Sequence, residues 1–300
     1  MKQILKNISI VKFGIVYKSA DQETKKVAEK AALYLKFKGH NVFVEKDLKN
    51  ADFILTFGGD GTLIHEACEY ADFGVPFVGI NTGRLGFLCA IDSKDWKRAI
   101  DNLAGGKYFV SERITIEASI EPENRNPLRP SPKANLASSP RSEASQKSET
   151  KYRAINECAI KSAYRVVDLE ILVNGANFAK IAGDGVIVAT QTGSTAYSLS
   201  AGGPIVDPDL DSILITPVNP IGLPIPSAVF SPDDMVEVKL TKGDDVSLVL
   251  DGQEYTKIKE GEKVKVKSGK YKIKFVYFDK HHFLKSLNAK FGLSSRAVSK

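Results

Sequence analysis

Residues 52–62 read DFILTFGGDGT. A short apolar run that stops at glycines is the pattern of a strand buried on both faces of a parallel sheet. Apolar spacing resumes in a helix from about Thr62 to Tyr70, so the glycines form a strand-to-helix corner. Three of the four residues from Gly58 to Gly61 are glycine, which removes the Cβ atoms that would hold a ligand off the backbone and permits positive φ. The helix that follows offers unpaired N–H groups and a positive dipole end to an anion. In open α/β sheets, ligands bind at the carboxyl ends of the strands. A bare carboxylate repels phosphate, so Asp60 makes sense if it meets a hydroxyl or a phosphate-bound Mg²⁺. A Gly-Asp turn chosen for geometry alone accounts for the same residues. The string fits neither the Walker A loop nor GxGxxG.

Outward from this corner, residues 1–106 alternate strand and helix. Ile10 to Tyr17 reads as a strand, and Asp21 caps a helix in which Val27, Ala31 and Leu35 recur on one face and Gly39 gives the stop. NVFVE and PFVGI are further strands, and a helix from Ser93 to Leu103 ends at Gly105-Gly106. These units predict an α/β N-terminal domain with a parallel sheet. Residues 107–279 turn to short alternating strands, among them RITIEAS, AINECAI, VVDLEILV, GVIVAT and YKIKFVYF, with turns at Asn174-Gly175 and Asp251-Gly252. They predict an all-β C-terminal domain, and residues 280–300 a short helix packing back on the first. Residues 121–151 hold five prolines and six serines, with no aromatic, valine or isoleucine. They are expected to be a disordered insertion at a hairpin tip, tolerated at the surface rather than regulatory.

A chain of 300 residues suits two domains. Apolar content of 43% and charged content of 26% exclude wholesale disorder and fibrous repeats. No apolar stretch reaches the ~18–20 residues of a membrane helix. Lys6, Asn7 and Lys12 interrupt any secretory core, so the expected location is the cytoplasm. Cys68, Cys89 and Cys158 form no CxxC pair, and His40, His65, His281 and His282 form no ligand cluster with them. Neither a disulfide framework nor a fixed metal site is expected. The net charge of +6 suits nucleotides and nucleic acid alike. The basic residues are dispersed, however, and residues 121–151 contribute six of them against four acidic, so a nucleic-acid partner is not expected.

Two further clusters carry chemistry. In Gly183-Asp184-Gly185 through Gly203, a strand feeds a turn of small residues and a short helix. Thr192, Ser194 and Thr195 supply hydroxyls, Ala196 permits close approach and Tyr197 offers a stacking face. Capping explains one hydroxyl, not so many. Asn156-Glu157 interrupts the apolar strand AINECAI. An asparagine can read an adenine edge and a carboxylate can grip two ribose hydroxyls, but adjacent strand residues face opposite ways, so both reach one ligand only at a bulge or strand end.

GGDGT, PFVGINTGRLGFL, the Asn156-Glu157 pair and TGSTAYSLSAGGP, in this order across about residues 10–280, resemble the NAD kinase family. GGDGT alone also occurs in lipid kinases and 6-phosphofructokinases; the combination is specific. The resemblance implies transfer of the terminal phosphate of ATP, or of polyphosphate, to the 2′-hydroxyl of the adenosine ribose of NAD. Mg²⁺ would accompany ATP, with no tightly bound prosthetic group, and the protein would be a homodimer or homotetramer with sites near subunit interfaces. Asp60 would be the catalytic proton acceptor, and Gly58, Gly59, Gly61 and Thr62 the phosphate-donor loop. Asp60, Gly61 and His65 would contact NAD, and Asn156 and Glu157 its adenosine. Asp184, the turn Thr195, Ala196, Tyr197, Ser198, Leu199 and Ser200, and Gln253 would complete the pocket, with Arg165 and Asn219 as weaker matches. Gln191 stands where the family usually has proline, which would loosen that turn, and Ala182 where many members have arginine. A GGDGT-type lipid or sugar kinase is the nearest alternative, although an acyl chain needs an apolar cleft and the TGSTAYS turn is polar. A non-catalytic dinucleotide sensor is another, against which the intact Asp60 speaks.

Overall fold

The computed structural model describes residues 2–4, 10–18, 20–83, 86–122, 151–222 and 224–292. Most of the expected insertion at 121–151 and the last residues of 280–300 therefore lie outside the described residues. Phe53–Gly58 is buried along its whole length and runs parallel to Lys12–Tyr17 on one side and Phe77–Asn81 on the other. Asn41–Val44 extends the sheet in parallel beyond Lys12–Tyr17. The helices Gln22–Phe37 and Trp96–Ala104 cover one face, with Leu35, Ile100 and Leu103 in its core. The helix Asp60–Glu69 covers the other through Leu63, Ile64 and Ala67. Asp21 caps the first helix, its carboxylate accepting the Glu23 amide at 3.0 Å.

The boundary expected at 106/107 is corrected. Tyr108–Arg113 and Ile273–Tyr277 pair with each other and belong to the first sheet, where Ile273–Tyr277 runs parallel to Phe77–Asn81. An alternating strand looks the same in either sheet. What decides is the aromatic bulk of Tyr108, Phe275 and Tyr277, which fills the α/β cores. Two expected strands are also broken. Arg113 ends one strand and Ile116 begins the next, and Ala154 and Glu157 likewise bracket a bend.

The β domain is a sandwich of two six-stranded antiparallel sheets. One contains Glu157–Ser162, Gly185–Thr190 and Val246–Leu250; the other contains Ile116–Glu121, Val167–Val173 and Val236–Lys242. Their inward residues, such as Ile160, Val188, Leu169 and Val238, share one apolar core. Ile155, fully buried, instead joins the cluster of Leu63, Ile64 and Leu88 in the α/β domain. Burying one such side chain stabilises by about 1.5–3 kcal/mol, and this one pins the Asn156-Glu157 bend against the glycine-corner helix. The helix His282–Phe291 returns to the first domain, where His282 stacks on Tyr277 and its Nε2 lies 3.1 Å from the Phe87 carbonyl oxygen. No helix of the described residues is long and apolar enough to cross a membrane.

Candidate active site

The helix at the corner begins at Asp60, two residues before the expected start, with Gly59 as its N-cap. The Gly59 carbonyl accepts the amides of Thr62 and Leu63. A Cβ on Gly58 would lie 2.5 Å from Thr62 Oγ1, so the strand turns into the helix here only without a side chain. Gly59 and Gly61 face open space, with nothing within 4 Å of a Cβ built on either. The corner is thus open to a ligand on its glycine side.

Asp60 is neither buried nor in an ion pair among the described residues. Its carboxylate is held by backbone alone. Oδ2 accepts the amides of Phe87 at 2.5 Å and Leu88 at 3.1 Å, and Oδ1 that of Cys89 at 2.9 Å. A carboxylate offers about four acceptor positions, so one remains for a substrate hydroxyl. Gly86 makes this cradle possible, since a Cβ there would stand 2.0 Å from Asp60 Oδ1. Phe87, Leu88 and Cys89 therefore serve the site through their amides.

Glu157 begins the strand Glu157–Ser162, and Asn156 precedes it at the bend. Asp251 organises the bend. Its Oδ2 accepts the Ile155 amide at 2.9 Å, and its Oδ1 accepts those of Asn156 at 2.7 Å and Glu157 at 3.1 Å. Glu157 is 5% exposed, and its Oε2 has no partner. Burial, with the nearby Asp251 charge adding, pushes its carboxyl up to about 8, against the Tyr197 amide, which opposes the shift. Burial also raises Asp251, but three amide donors occupy its oxygens. Of the two, Glu157 carries the proton.

The turn after Gly185–Thr190 is fixed by its own hydroxyls. Thr190 Oγ1 donates to the Ile155 carbonyl at 2.6 Å and accepts the amides of Thr192 and Gly193. Gly193 packs on Asn156, where a Cβ would fall 2.1 Å from its carbonyl oxygen. Gln191 does not loosen this turn. Its Nε2 donates to Asp211 at 3.0 Å, and its carbonyl accepts Ser194 Oγ at 2.7 Å. Thr192 and Thr195 line the same cavity as Phe87 and Leu88, whose amides hold Asp60. The corner, the bend and the turn therefore meet at the domain junction, with Thr195, Ala196 and Tyr197 partly exposed there.

Other expected residues lie elsewhere. Ser198 is fully buried, and its hydroxyl is bonded to Thr216 at 2.9 Å. Leu199 is half-buried and Ser200 exposed on the same short helix. His65 is exposed, five residues from Asp60 and so about 140° round the helix. Asp184 bonds Asn219 at 2.7 Å at the far end of Gly185–Thr190, about 17 Å along the strand from the Glu157 level. Arg165 pairs with Asp244 in an exposed loop by that same end. Gln253 is exposed, two residues after Asp251. Asp251, Gly86 and Thr190 are the residues that sequence reasoning missed. Asp251-Gly252 signalled a hairpin turn, and nothing in that signal told of the amides 94 to 96 positions away.

A fixed acceptor beside an open anion cradle suits phosphoryl transfer to an alcohol, and the class of protein is a two-domain kinase. Two family models match the chain: the ATP-NAD kinase N-terminal domain over residues 16–108 and the ATP-NAD kinase C-terminal domain over residues 155–278. The chain belongs to the NAD kinase family. An NAD kinase of Desulforamulus reducens is 37% identical over 242 residues, 80% of this chain and 76% of that protein. One of Treponema denticola is 29% identical over 313 residues, 100% of this chain and 99% of that protein. Among solved structures, an NAD kinase from Archaeoglobus fulgidus in complex with ATP gives a TM-score of 0.69 at 26% identity, covering 91% of this chain and 96% of that one. Yeast NADH kinase complexed with NADH gives 0.79 at 22% identity, covering 99% and 98%, a likeness of fold.

Proposed function

We propose that this chain transfers the terminal phosphate of ATP, or of inorganic polyphosphate, to the 2′-hydroxyl of the adenosine ribose of NAD, yielding NADP. The observation that carries this reading is the Asp60 carboxylate, fixed by three amides with one acceptor position left, beside glycines that face open space. Phosphoryl transition states are loose and spread charge over three oxygens, so positioning and electrostatics supply most of the rate. The amides of Gly59 and Gly61 and the helix N-terminus receive the donor phosphates. Asp60 orients the 2′-hydroxyl and takes its proton as the new O–P bond forms and the bond to the departing phosphate breaks. Asn156 reads the adenine edge. The protonated Glu157 both donates to and accepts from the ribose hydroxyls, and Tyr197 stacks. Mg²⁺, which would neutralise donor charge, travels with those phosphates, because Asp60 has at most one oxygen position left for it. Asp184, Asn219 and Arg165, remote from this pocket within one chain, would serve the pocket of a second copy in a homodimer or homotetramer. The expected setting is the cytoplasm.

The test incubates purified protein with NAD, Mg²⁺ and either ATP or polyphosphate, and couples the product to an NADP-specific dehydrogenase. Diacylglycerol and fructose 6-phosphate run as rival acceptors. No NADP with either donor, or phosphorylation of a rival acceptor instead, overturns the reading.

A further inference from the structure

The strand Glu157–Ser162 carries Glu157, Ala159 and Lys161 on one face, at the two-residue spacing of a strand. The short helix Tyr197–Ser200 covers that face, where Tyr197 packs with the fully buried Ala159, Ile187 and Ala189. Tyr197 spans the row. Its amide lies against the Glu157 carboxyl, and its ring lies beneath the Lys161 ammonium, with Nζ 5.4 Å from the ring centre. Lys161 is half-buried, and among the described residues no carboxylate pairs with it. The neighbouring lysine differs. Lys257 bonds Ser247, which stands opposite Lys161 in the sheet, but its ammonium is held by Asp245 at 2.7 Å and Glu254 at 3.3 Å.

An ammonium is a compact, strongly hydrated charge with three donors, and a tyrosine face replaces only part of its water. A half-buried lysine with a ring as its partner therefore keeps donors for an anion. In the proposed reaction, which supplies the ligand of this inference, Glu157 holds the ribose hydroxyls and Asn156 the adenine. Asn156 precedes Glu157 in the chain, so it lies on the side away from Lys161. With its hydroxyls and its base engaged, the ribose has one exit left, the 5′ carbon, which leads along Tyr197 toward Lys161. In NAD that exit carries a diphosphate with two negative charges, to which the carboxyls of Asp60, Glu157 and Asp251 offer no attraction. We infer that Lys161 is the cation that binds the diphosphate of NAD, held over Tyr197 at the far end of the row that begins at Glu157.

Isothermal titration of the full chain with NAD, and separately with adenosine, in the absence of ATP tests this. Adenosine keeps the base and ribose and lacks the diphosphate. Lys161→Met keeps the apolar stem and deletes the charge, and Lys161→Arg restores it. The expected results are NAD binding that weakens by about tenfold or more in Lys161→Met, adenosine binding that weakens far less, and recovery of most NAD affinity in Lys161→Arg. The salt dependence of NAD binding should also flatten in Lys161→Met, because a screened charge pair is lost. Should Lys161→Met fail to fold by circular dichroism, Lys161→Gln takes its place. Should adenosine bind too weakly to titrate, the salt dependence and the arginine rescue decide. If Lys161 only props the Tyr197 ring, Lys161→Met weakens NAD and adenosine alike with an unchanged salt dependence, and that result overturns the inference, as does unchanged NAD affinity. A wild type that binds no NAD overturns the proposed acceptor pocket as well, so the two failures are told apart.

Discussion

Replacing Asp251 with asparagine keeps the shape of the side chain and removes one acceptor, and neither orientation of the amide escapes the cost. With Nδ2 in the place of Oδ2, the Ile155 amide faces a donor; with Nδ2 in the place of Oδ1, the Asn156 and Glu157 amides both do. The first arrangement is the lesser loss. It forfeits one hydrogen bond to a charged group, about 1.5–3 kcal/mol, and converts two more from charged to neutral, about 0.5–2 kcal/mol each. Removing a carboxylate that burial already disfavours offsets part of this, leaving a net loss of about 2–4 kcal/mol. Urea unfolding measures that loss. A merely structural defect would stop there, but in the proposed reaction the bend positions Asn156 and Glu157 for adenosine. KM for NAD should therefore rise about tenfold or more while KM for ATP stays near wild type and kcat changes less. Asp251→Asn with an unchanged urea midpoint and an unchanged KM for NAD would refute the assignment of Asp251 as the residue that sets the bend.

Gly86→Ala sets a Cβ 2.0 Å from Asp60 Oδ1, so the carboxylate must leave its cradle. Steady-state assays should show kcat lowered by roughly 10²-fold, the usual effect of about 1 Å of misplacement. Gly193→Ala drives a Cβ to within 2.1 Å of the Asn156 carbonyl oxygen; KM for NAD should rise with little change in KM for ATP. Glu157, at about 8 when folded against an ordinary 4.5, holds its proton more tightly in the native state. Its stabilising contribution is full below about pH 4.5, is lost as pH rises through about 8, and is flat beyond. Glu157→Gln should flatten that slope by up to a few kcal/mol, at about 1.4 kcal/mol per pH unit, and parallel wild-type and variant urea midpoints from about pH 5 to 8.5 would contradict the buried, protonated Glu157.

Local signals carried much of this structure. The apolar run into Gly58-Gly59 marked a buried strand and an anion-ready helix, and Asp21 marked a cap that is present. Asn156-Glu157 needed a strand end to act together, and the chain bends there. The Asp251-Gly252 turn is also as read, with φ of 47° and 79°. What stayed hidden depends on partners distant in sequence. Alternation in Tyr108–Arg113 and Ile273–Tyr277 gave their strand character but not the sheet they join. The hydroxyl of Ser198 looked available beside Tyr197, yet Thr216, 18 positions on, claims it. Asp184, seven residues before Gln191 in sequence, lies at the opposite strand end because a straight strand carries them apart. A motif read along the chain has no such length.

The central claim is that Asp60 touches the reacting hydroxyl. Single-turnover formation of NADP by Asp60→Asn, beside wild type at saturating NAD and ATP, tests it most directly. The account predicts a rate lower by roughly 10²–10⁴-fold, the contribution of a general base, with the urea midpoint and nucleotide affinities close to wild type. A wild-type rate from the asparagine variant would remove Asp60 from the chemistry.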